Sequence, residues 1–478
     1  MKLSKFRWLA LAASSALFAN PSDPTIVYPP EDPMAVTFDT SGSTLTVTVP
    51  TETRVIVDWD SFSIGSTETT TFDLPSTSSA ILNRVSGENA SSILGSLQSN
   101  GQVFLINENG IVMNGESTIS TAAFLASTMD VDNQEFLDGS DMTFFGDPNT
   151  NISLMNYKPI TTDEGDIVLL GFQVGNWGAL TANDGTVALG AGIEIVLQPT
   201  DDQRIAIVTN TPTEYGDTGI EGSGSIQALR AELKSDGAWY QYALNVATDI
   251  DTLDVNSNNA TVRISSEGGD VSISGTITSM NGNGNYGGEI AILGETVSIS
   301  GGTVDVSSGY GGGVIYIGGE DGSAHPDFFT AEYAGHDSGE IRGNALTAGE
   351  GAYVVIKATD TANAAGDIYL NGGASGGNGG TLLVLSGETT EGNSTIEAVG
   401  GRGSGSGMGG GNGGVITLSS EGNCVYSGTI DAMGGIGGGD GGTVLICGET
   451  CMSSPTVDVS APAGEAGTSS VCPMGGCP

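Results

Sequence analysis

The stretch Gly287-Gly-Glu-Ile-Ala-Ile-Leu-Gly294 shows the phrase that decides the fold of this chain: paired glycines, then a short apolar run. The first two copies of the phrase are separated by about 20 residues, a spacing that predicts stacked rungs with one or two strands per repeat. Later copies are further apart, so the longer gaps contain extra turns or insertions. The other copies are Gly268-Gly-Asp-Val-Ser-Ile-Ser-Gly275, Gly312-Gly-Val-Ile-Tyr-Ile-Gly318, Gly379-Gly-Thr-Leu-Leu-Val-Leu385, Gly413-Gly-Val-Ile-Thr-Leu418 and Gly441-Gly-Thr-Val-Leu-Ile446.

Stacked rungs of this kind indicate an all-β parallel β-helix. Glycine suits its corners because positive φ is needed there and side chains would collide between rungs. An antiparallel sandwich also has short strands and glycine turns, but its turns recur about every 8–12 residues without such a phrase. We therefore favour the β-helix. One segment, Ser225–Lys234, has Ile226, Leu229 and Leu233 at helical spacing, and we expect a single short helix there.

Composition limits the class of partner. Glycine accounts for 76 of the 478 residues, and 56 acidic residues face 13 basic ones, for a formal charge of −43. A nucleic-acid-binding protein needs a positive footprint, so this balance excludes nucleic acid as a partner and disfavours anionic lipid. With 38% hydrophobic residues the chain can still bury a core.

The amino terminus reads as an export signal. Lys2, Lys5 and Arg7 precede the apolar run Trp8–Phe18, and small residues follow. This pattern predicts a secretory signal peptide over residues 1–19, too short to span a membrane. No later stretch reaches the roughly 18 apolar residues of a transmembrane helix.

All five cysteines lie after position 423. In an oxidising compartment they can pair, but an odd number leaves at least one thiol free or intermolecular. The local candidate pairs are Cys447 with Cys451 and Cys472 with Cys477. A zinc site is the alternative, but the spacings fit no standard finger, so we favour a disulfide loop over 472–477.

Catalytic motifs are absent from the sequence. His325 and His336 have no metal-binding spacing, and no Gly-x-Ser-x-Gly elbow is present. A β-helical polysaccharide lyase or glycosidase remains an alternative, but the basic residues beyond position 260 are widely separated in sequence: Arg263, Arg342, Lys357 and Arg402. We therefore predict no enzyme activity, no catalytic residues and no cofactor or metal. The one exception is calcium, which carboxylates beside glycine turns could bind. These carboxylates are Asp166, Asp270, Glu289, Asp367 and Asp440.

Residues 54–128 contain a long ordered series of motifs. They resemble the secretion domain of the filamentous haemagglutinin family, the exoproteins of two-partner secretion. The family's Asn-Pro-Asn-Gly-Ile turn has Glu108 in place of proline, and its Asn-Pro-Asn-Leu motif is not found. The matching stretches are Val55-Ile-Val-Asp-Trp-Asp-Ser-Phe-Ser-Ile-Gly65, Ile81-Leu-Asn-Arg-Val-Ser-Gly87, Ser92-Ile-Leu-Gly-Ser-Leu97, Asn100-Gly-Gln-Val-Phe-Leu-Ile-Asn107, Asn109-Gly-Ile111 and Ala126-Ser-Thr128.

The resemblance implies a right-handed parallel β-helix with extra-helical β-hairpins near the amino terminus. It also implies an outer-membrane barrel transporter as partner, and a secreted or cell-surface location on a Gram-negative-type bacterium. Some members of the family stay tethered through a carboxyl-terminal cysteine loop, which Cys472 and Cys477 could imitate. Candidate transporter-recognition residues follow from the matching motifs: Asn83, Arg84, Asn107, Asn109, Gly110 and Ile111.

These inferences give a provisional domain plan. Residues 1–19 are the signal peptide, 20–200 the secretion-type β-helix domain, 201–460 glycine-rich rungs with insertions, and 461–478 a cysteine-containing tail. The leading functional hypothesis is a non-enzymatic, adhesin-like exoprotein with a host-cell or glycan receptor. The alternatives are the carbohydrate-active enzyme and a structural surface or matrix protein.

Overall fold

A computed structural model describes residues 20–29, 36–150, 152–199, 203–208, 216–254, 260–282, 285–322, 325, 327–403 and 409–472. The predicted signal peptide and Cys477 lie outside these ranges. Within them the chain is a parallel β-helix with three faces, sheets A, B and C, and each turn of the chain visits A, then C, then B. The β-helix prediction is confirmed. No helix among the described residues is long and apolar enough to cross a membrane.

Sheet A has fifteen parallel strands in its column, so the coil is about 70 Å long at about 4.8 Å per strand. Its strands are Arg54–Ser61, Ala80–Val85, Gln102–Ile106, Ala123–Ser127, Ile167–Gly171, the second parts of Ala179–Ala191 and Ser225–Ser235, the first parts of Thr261–Ile273 and Glu289–Asp305, Val314–Ile317, the first part of Tyr353–Ala364, Thr381–Ser386, Val415–Ser420, Thr443–Cys447 and Thr468–Val471.

Sheets B and C complete each turn. Sheet B contains Thr44–Thr48, Thr69–Asp73, Ser96–Ser99, Thr118–Thr121, Ile160–Thr162, the first parts of Ala179–Ala191 and Ser225–Ser235, Asp249–Asp254, Thr276–Asn281, the last parts of Glu289–Asp305 and Ala331–Arg342, Asp367–Tyr369, Thr395–Glu397, Thr429–Asp431 and Thr456–Asp458. Sheet C contains Ser91–Ile93, Ile111–Met113, Ser153–Asn156, Gln173–Asn176, Gly216–Gly222, Tyr240–Val246, the later part of Thr261–Ile273, the middle of Glu289–Asp305, the start of Ala331–Arg342, the end of Tyr353–Ala364, Thr389–Gly392, Asn423–Tyr426 and Thr450–Cys451. A 3-10 turn, Gly237–Trp239, leads into the strand Tyr240–Val246.

The paired-glycine phrase marks the entry to sheet A. The strand residues that follow it stack in register, with Glu289 opposite Val314 and, further along, Thr381, Val415 and Thr443 in one column. The copy at Gly268 is different, because it leads into sheet C, so the short interval from Gly268 to Gly287 lies within one turn. Early turns have the expected length of about 20 residues, as the pairing of Ile167 with Val187 shows, whereas later turns are longer, as the pairing of Val415 with Thr443 shows.

Close backbone approach explains the glycines at this corner. A Cβ on Gly379, Gly413 or Gly441 would lie 1.9 Å from a carbonyl oxygen in the equivalent corner of the next turn. None of these three has positive φ, so the expected conformational reason is wrong for them and the steric reason holds.

The inward side chains form one continuous core from Val36 to Ile446. In the later rungs they alternate with outward residues, as at Leu382 and Val384, which are fully buried above Val354 and Ile356. Each rung therefore covers its inner apolar face with its neighbours.

The helix expected over Ser225–Lys234 is wrong. This segment is the strand Ser225–Ser235, which passes from sheet B to sheet A. Ile226 and Ala228 point inward before the corner, and Ala231 and Leu233 point inward after it. The change of face at the corner shifts the alternation and imitates helical spacing.

The amino-terminal end of the coil is capped. Ser22–Tyr28 pairs antiparallel with Arg54–Ser61, and Thr37–Ser41 forms an antiparallel hairpin with Thr44–Thr48. The small strand Tyr286–Gly287 pairs antiparallel with Thr276–Asn281 further along.

A second, extra-helical layer covers the outside of sheet A in the first rungs. It is an antiparallel sheet of Asp130–Val131, Met142–Phe145, Glu194–Leu197 and Ile205–Ile207, with the helix Asn133–Asp138. The Asp132 side chain caps this helix and Gly139, at φ +67°, ends it. The layer buries its own core against sheet A, which includes Ile56, Leu82, Phe104, Phe136, Phe144 and Ile195. The expected extra-helical hairpins are confirmed.

The cysteine pairing differs from the prediction. Cys451 is bonded to Cys472, with the two Cα atoms 5.3 Å apart. Cys447 is also disulfide-bonded, and Cys424 is a buried free thiol. The pairings of Cys472 with Cys477 and of Cys447 with Cys451 are therefore wrong. The physical reason is the coil itself, because residues about one turn apart become neighbours and residues four apart are separated around a corner.

Candidate transporter-recognition surface

Asn83 of the predicted set points into the coil. Its side chain is fully buried in sheet A, where it accepts a hydrogen bond from the Trp59 indole nitrogen at 3.1 Å and donates one to the Phe104 carbonyl at 3.1 Å. A buried amide must satisfy its own hydrogen bonds. Asn83 therefore orders the early rungs and is not accessible to a partner.

Arg84, its neighbour, points outward because side chains alternate along a strand. The guanidinium donates to Asp130 Oδ1 at 2.8 Å and to the Val131 carbonyl at 2.9 Å, and Nη1 lies 3.6 Å from Asp58 Oδ1. Arg84 thereby joins sheet A to the start of the extra-helical layer.

The turn Asn107–Gly110 stands at the corner between sheets A and C. The Gly110 amide donates to the Asn107 carbonyl at 3.0 Å, and Gly110 adopts φ +112°. The buried Asn107 side chain accepts from the Asn109 amide and donates to Ser91 Oγ, both at 2.9 Å. Gly110 thus supplies the backbone conformation, and Asn107 holds the turn from inside.

The remaining two residues of this turn differ in exposure. Asn109 is exposed, and its side-chain amide donates to the Gly87 carbonyl of the preceding rung at 2.9 Å. Ile111 is fully buried and begins the sheet C strand Ile111–Met113. Of the six predicted residues, only Arg84 and Asn109 therefore present side-chain atoms outside the coil.

An open cavity of about 520 Å³ lies beside Arg84 and is lined by Asp130, Asp132, Asn133 and Phe145. Phe145 is 55% exposed, which is unusual for a phenylalanine. We call the group Asp58, Arg84, Glu108, Asn109, Asp130 and Phe145 the Arg84 surface.

The carboxylates of the Arg84 surface are partly desolvated. Burial raises the pKa of Asp58, and the Arg84 guanidinium opposes this rise. Burial also raises the pKa of Glu108, and the negative charge of Asp130 adds to it. Because ionised carboxylates accept strong hydrogen bonds, Asp58 and Glu108 favour a partner that supplies hydrogen-bond donors.

Sequence reasoning missed Asp58, Asp130 and Phe145. Asp58 is directly opposite Arg84 in the parallel register of sheet A, on the preceding strand of that sheet. The register of the first two rungs would have revealed that pair. Asp130 and Phe145 come from the extra-helical layer, whose pairing has no local signal.

The carboxylates considered for calcium are distributed over separate rungs. Asp166 binds the Arg204 guanidinium at 2.7 Å, and Glu289 lies 3.3 Å from Arg263. Asp367 and Asp440 accept backbone amides of the next rung, at Thr395 and Glu465. Asp270 is on sheet C. Across the described ranges, no three metal-ligating side chains form a group.

The structure brings several cations closer than the sequence suggests. Arg263 and Lys357 lie on the outer side of sheet A, on strands linked through Glu289–Asp305 and Val314–Ile317, with Lys234 and Arg204 nearby. Each one is engaged: Lys234 lies 3.4 Å from Glu232, and Lys357 donates to the Glu320 carbonyl at 2.6 Å. This network attaches residues 203–208, Glu320 and Asp327 to sheet A.

The two histidines are apart. His325 lies outside sheet A, 3.0 Å from Glu320 Oε2 and stacked on Phe328, whereas His336 is buried inside the coil on sheet C.

Comparisons with known proteins find a family match in the amino-terminal part of the chain. Residues 32–239 match the profile of the TPS secretion domain. A heme/hemopexin-binding protein of Haemophilus influenzae is 40% identical over 93 residues, which are 20% of this chain and 10% of that protein. Another protein of that description, from the same species, is 41% identical over 76 residues, 16% and 8% of the two chains. The matched part thus spans a tenth or less of the length of these relatives.

Among solved structures, the HMW1 secretion domain from Haemophilus influenzae matches with a TM-score of 0.56 and 22% identity, covering 94% of this chain and all of that one. This likeness shows a shared β-helical fold. The family resemblance inferred from residues 54–128 is confirmed by the profile match, which includes the whole Arg84 surface.

Proposed function

We propose, from the premise that residues 32–239 are a secretion domain of the two-partner type, that this chain is a non-enzymatic exoprotein. An outer-membrane barrel transporter would deliver it to the cell surface or the medium of a Gram-negative-type bacterium. The observation that carries the proposal is the profile match over 32–239. It rests on sequence shared across a domain whose described task is secretion.

The Arg84 surface is our proposed contact with the transporter. It combines an exposed aromatic ring, an open cavity and a cation that is half enclosed by carboxylates. Exposed aromatic and arginine side chains beside a cavity are frequent anchors of protein interfaces. The surface also lies on the early rungs, which leave a transporter first if export starts from the amino terminus.

The test is export in cells that express the full chain with its cognate barrel. We expect Phe145→Ala to lower the amount of protein in the medium by about tenfold, as loss of an anchoring aromatic does. Tyr242→Ala is the matched control, because Tyr242 is also exposed, at 48%, but lies on sheet C. It should leave export unchanged.

Two results would separate the levels of the proposal. If Phe145→Ala is exported as well as Tyr242→Ala and the wild type, while loss of the barrel abolishes export, only the Arg84 surface is rejected. Undiminished export without the barrel would reject the secretion route itself.

Once outside, we propose that the chain is adhesin-like, with a host-cell or glycan receptor. The support is the family resemblance of residues 54–128 and the elongated coil, whose outer faces can present an extended binding surface. The purified protein should bind host cells or a glycan array and release no new reducing ends from acidic polysaccharides. Self-association without cell or glycan binding would instead support the structural matrix role.

A further inference from the structure

Two aromatic rings stack on the outside of the coil at the end of sheet C. Tyr157 and Trp177 have ring centroids 4.9 Å apart and planes inclined by only 12°. Asn156 and Asn176, the residues before them, are paired in register on adjacent strands. Adjacent strands lie about 4.8 Å apart, so aromatic residues at equivalent positions are held face to face. Tyr157 is 38% exposed and Trp177 is partly exposed.

Gly175 makes room for the indole. A Cβ at this position would lie 2.3 Å from Trp177 Cζ3 and 2.6 Å from the Met155 sulfur. The Trp177 ring therefore folds back across the strand, over the place where residue 175 would project a side chain. Glycine inside a strand lowers stability and often marks a close approach. Here that approach is made by the aromatic ring.

A carboxylate without a cation lies beside the rings. Glu221 is opposite Gly175 on the following strand and is half-buried. Burial raises its pKa, and its negative charge contributes to the raised pKa of Tyr157. Glu221 forms no ion pair with any residue in the described ranges, and Lys158, which follows Tyr157, is within ion-pair distance of no carboxylate there.

We propose that Tyr157, Trp177 and Glu221 form a binding site for an organic ammonium group, such as a choline head group. Aromatic faces attract cations through the ring quadrupole, and an unpaired carboxylate adds direct charge attraction. The net charge of −43 raises the local concentration of cations around the whole molecule. The site is independent of the proposed export route.

The experiment compares choline with 3,3-dimethylbutan-1-ol, which has the same shape without the charge. Binding to the full chain is followed by saturation-transfer NMR on the methyl protons of each probe. We expect saturable choline binding with a dissociation constant on the order of 1–10 mM, and at least about tenfold weaker binding of the alcohol.

Variants assign the site. Glu221→Gln keeps the shape of the side chain and should weaken choline binding by about tenfold, and Trp177→Leu should abolish it. The matched controls are Glu267→Gln and Tyr286→Leu, at an exposed acid and an exposed ring away from the site, and they should bind as the wild type. Equal binding of choline and the alcohol, or unchanged choline binding in Glu221→Gln, would overturn the proposal. Because Glu221→Gln is nearly isosteric, its result stands even if Trp177→Leu fails to fold.

Discussion

At the scale of single residues, His336 is the least expected side chain in the core. It lies in the inward column of sheet C, between Ile299 of one rung and Ala364 of the next. The ring is fully buried, and neither nitrogen makes a well-formed hydrogen bond within the described ranges. Burial lowers its pKa to about 4, and the charges of Asp337 and Asp367 oppose this effect only partly.

This pKa predicts a stability loss in acid. Between pH 6.5 and about 4 the unfolded chain takes up a proton at residue 336 and the folded chain does not. The unfolding free energy therefore decreases as the pH is lowered through this range. His336→Leu lacks this titration. Between pH 7.5 and 4.5 its unfolding free energy should therefore fall by about 2–3 kcal/mol less than that of the wild type. Urea unfolding at the two pH values measures this.

Subtracting the loss measured for His336→Leu from the loss measured for the wild type cancels the titration of the carboxylates, which both proteins share. An equal loss in the wild type and in His336→Leu would show that the ring is protonated inside the fold.

At the scale of elements, the glycine corner at the entry to sheet A should tolerate no side chain. Gly413→Ala would place a Cβ 1.9 Å from the Ala432 carbonyl oxygen, so the backbone must shift. We expect a loss of about 2–3 kcal/mol in unfolding free energy, measured by urea denaturation. Gly311→Ala is the control, because its nearest neighbour would be the Glu350 carbonyl oxygen at 3.8 Å. It should change stability by less than about 0.5 kcal/mol, and a similar cost at both positions would contradict the steric argument.

The disulfide between Cys451 and Cys472 acts on the last strand of sheet A. Thr468–Val471 has a neighbouring strand on one side only within the described ranges, so the disulfide replaces part of the missing support. In the double variant Cys451→Ser/Cys472→Ser, amides of residues 468–472 should exchange with deuterium at least about tenfold faster, while those of Thr381–Ser386 stay unchanged. Unchanged exchange at 468–472 would show that strand pairing alone holds this end.

These elements differ in how far the sequence alone predicts them. Five of the six paired-glycine copies mark one corner in the later turns, so the coil and the entry to sheet A could be predicted from the sequence. The partner of Cys451 was not, since it depends on how many residues each turn contains. The extra-helical sheet joins strands within 130–145 to Glu194–Leu197 and Ile205–Ile207 across two rungs, and Arg84 meets Asp130 only when that sheet has formed. Asn83 and Asn107 were recognised as motif residues, but a motif does not reveal that they point inward.

At the scale of the whole molecule, like-charge repulsion opposes the compact fold. The formal charge of −43 is distributed over a coil about 70 Å long, and the described ion pairs neutralise only a few carboxylates. Raising sodium chloride from 10 to 150 mM shortens the screening length from about 30 to about 8 Å. We therefore expect the unfolding free energy to rise by about 1 kcal/mol or more, measured by thermal or urea unfolding.

Potassium chloride at the same ionic strength should have the same effect, since screening does not depend on the cation. A fall in stability with added salt would mean that the few ion pairs outweigh the repulsion.

The cap made by Ser22–Tyr28 and the hairpin Thr37–Ser41 with Thr44–Thr48 leaves only one direction in which the coil can lengthen. Because equivalent residues of successive turns are in register, as Ser386 is with Ser420, excision of 387–420 brings Glu421 to the place of Gly387 and lets every later strand meet a suitable neighbour. Evolution can therefore shorten or extend such a protein by whole turns without altering its capped amino-terminal end.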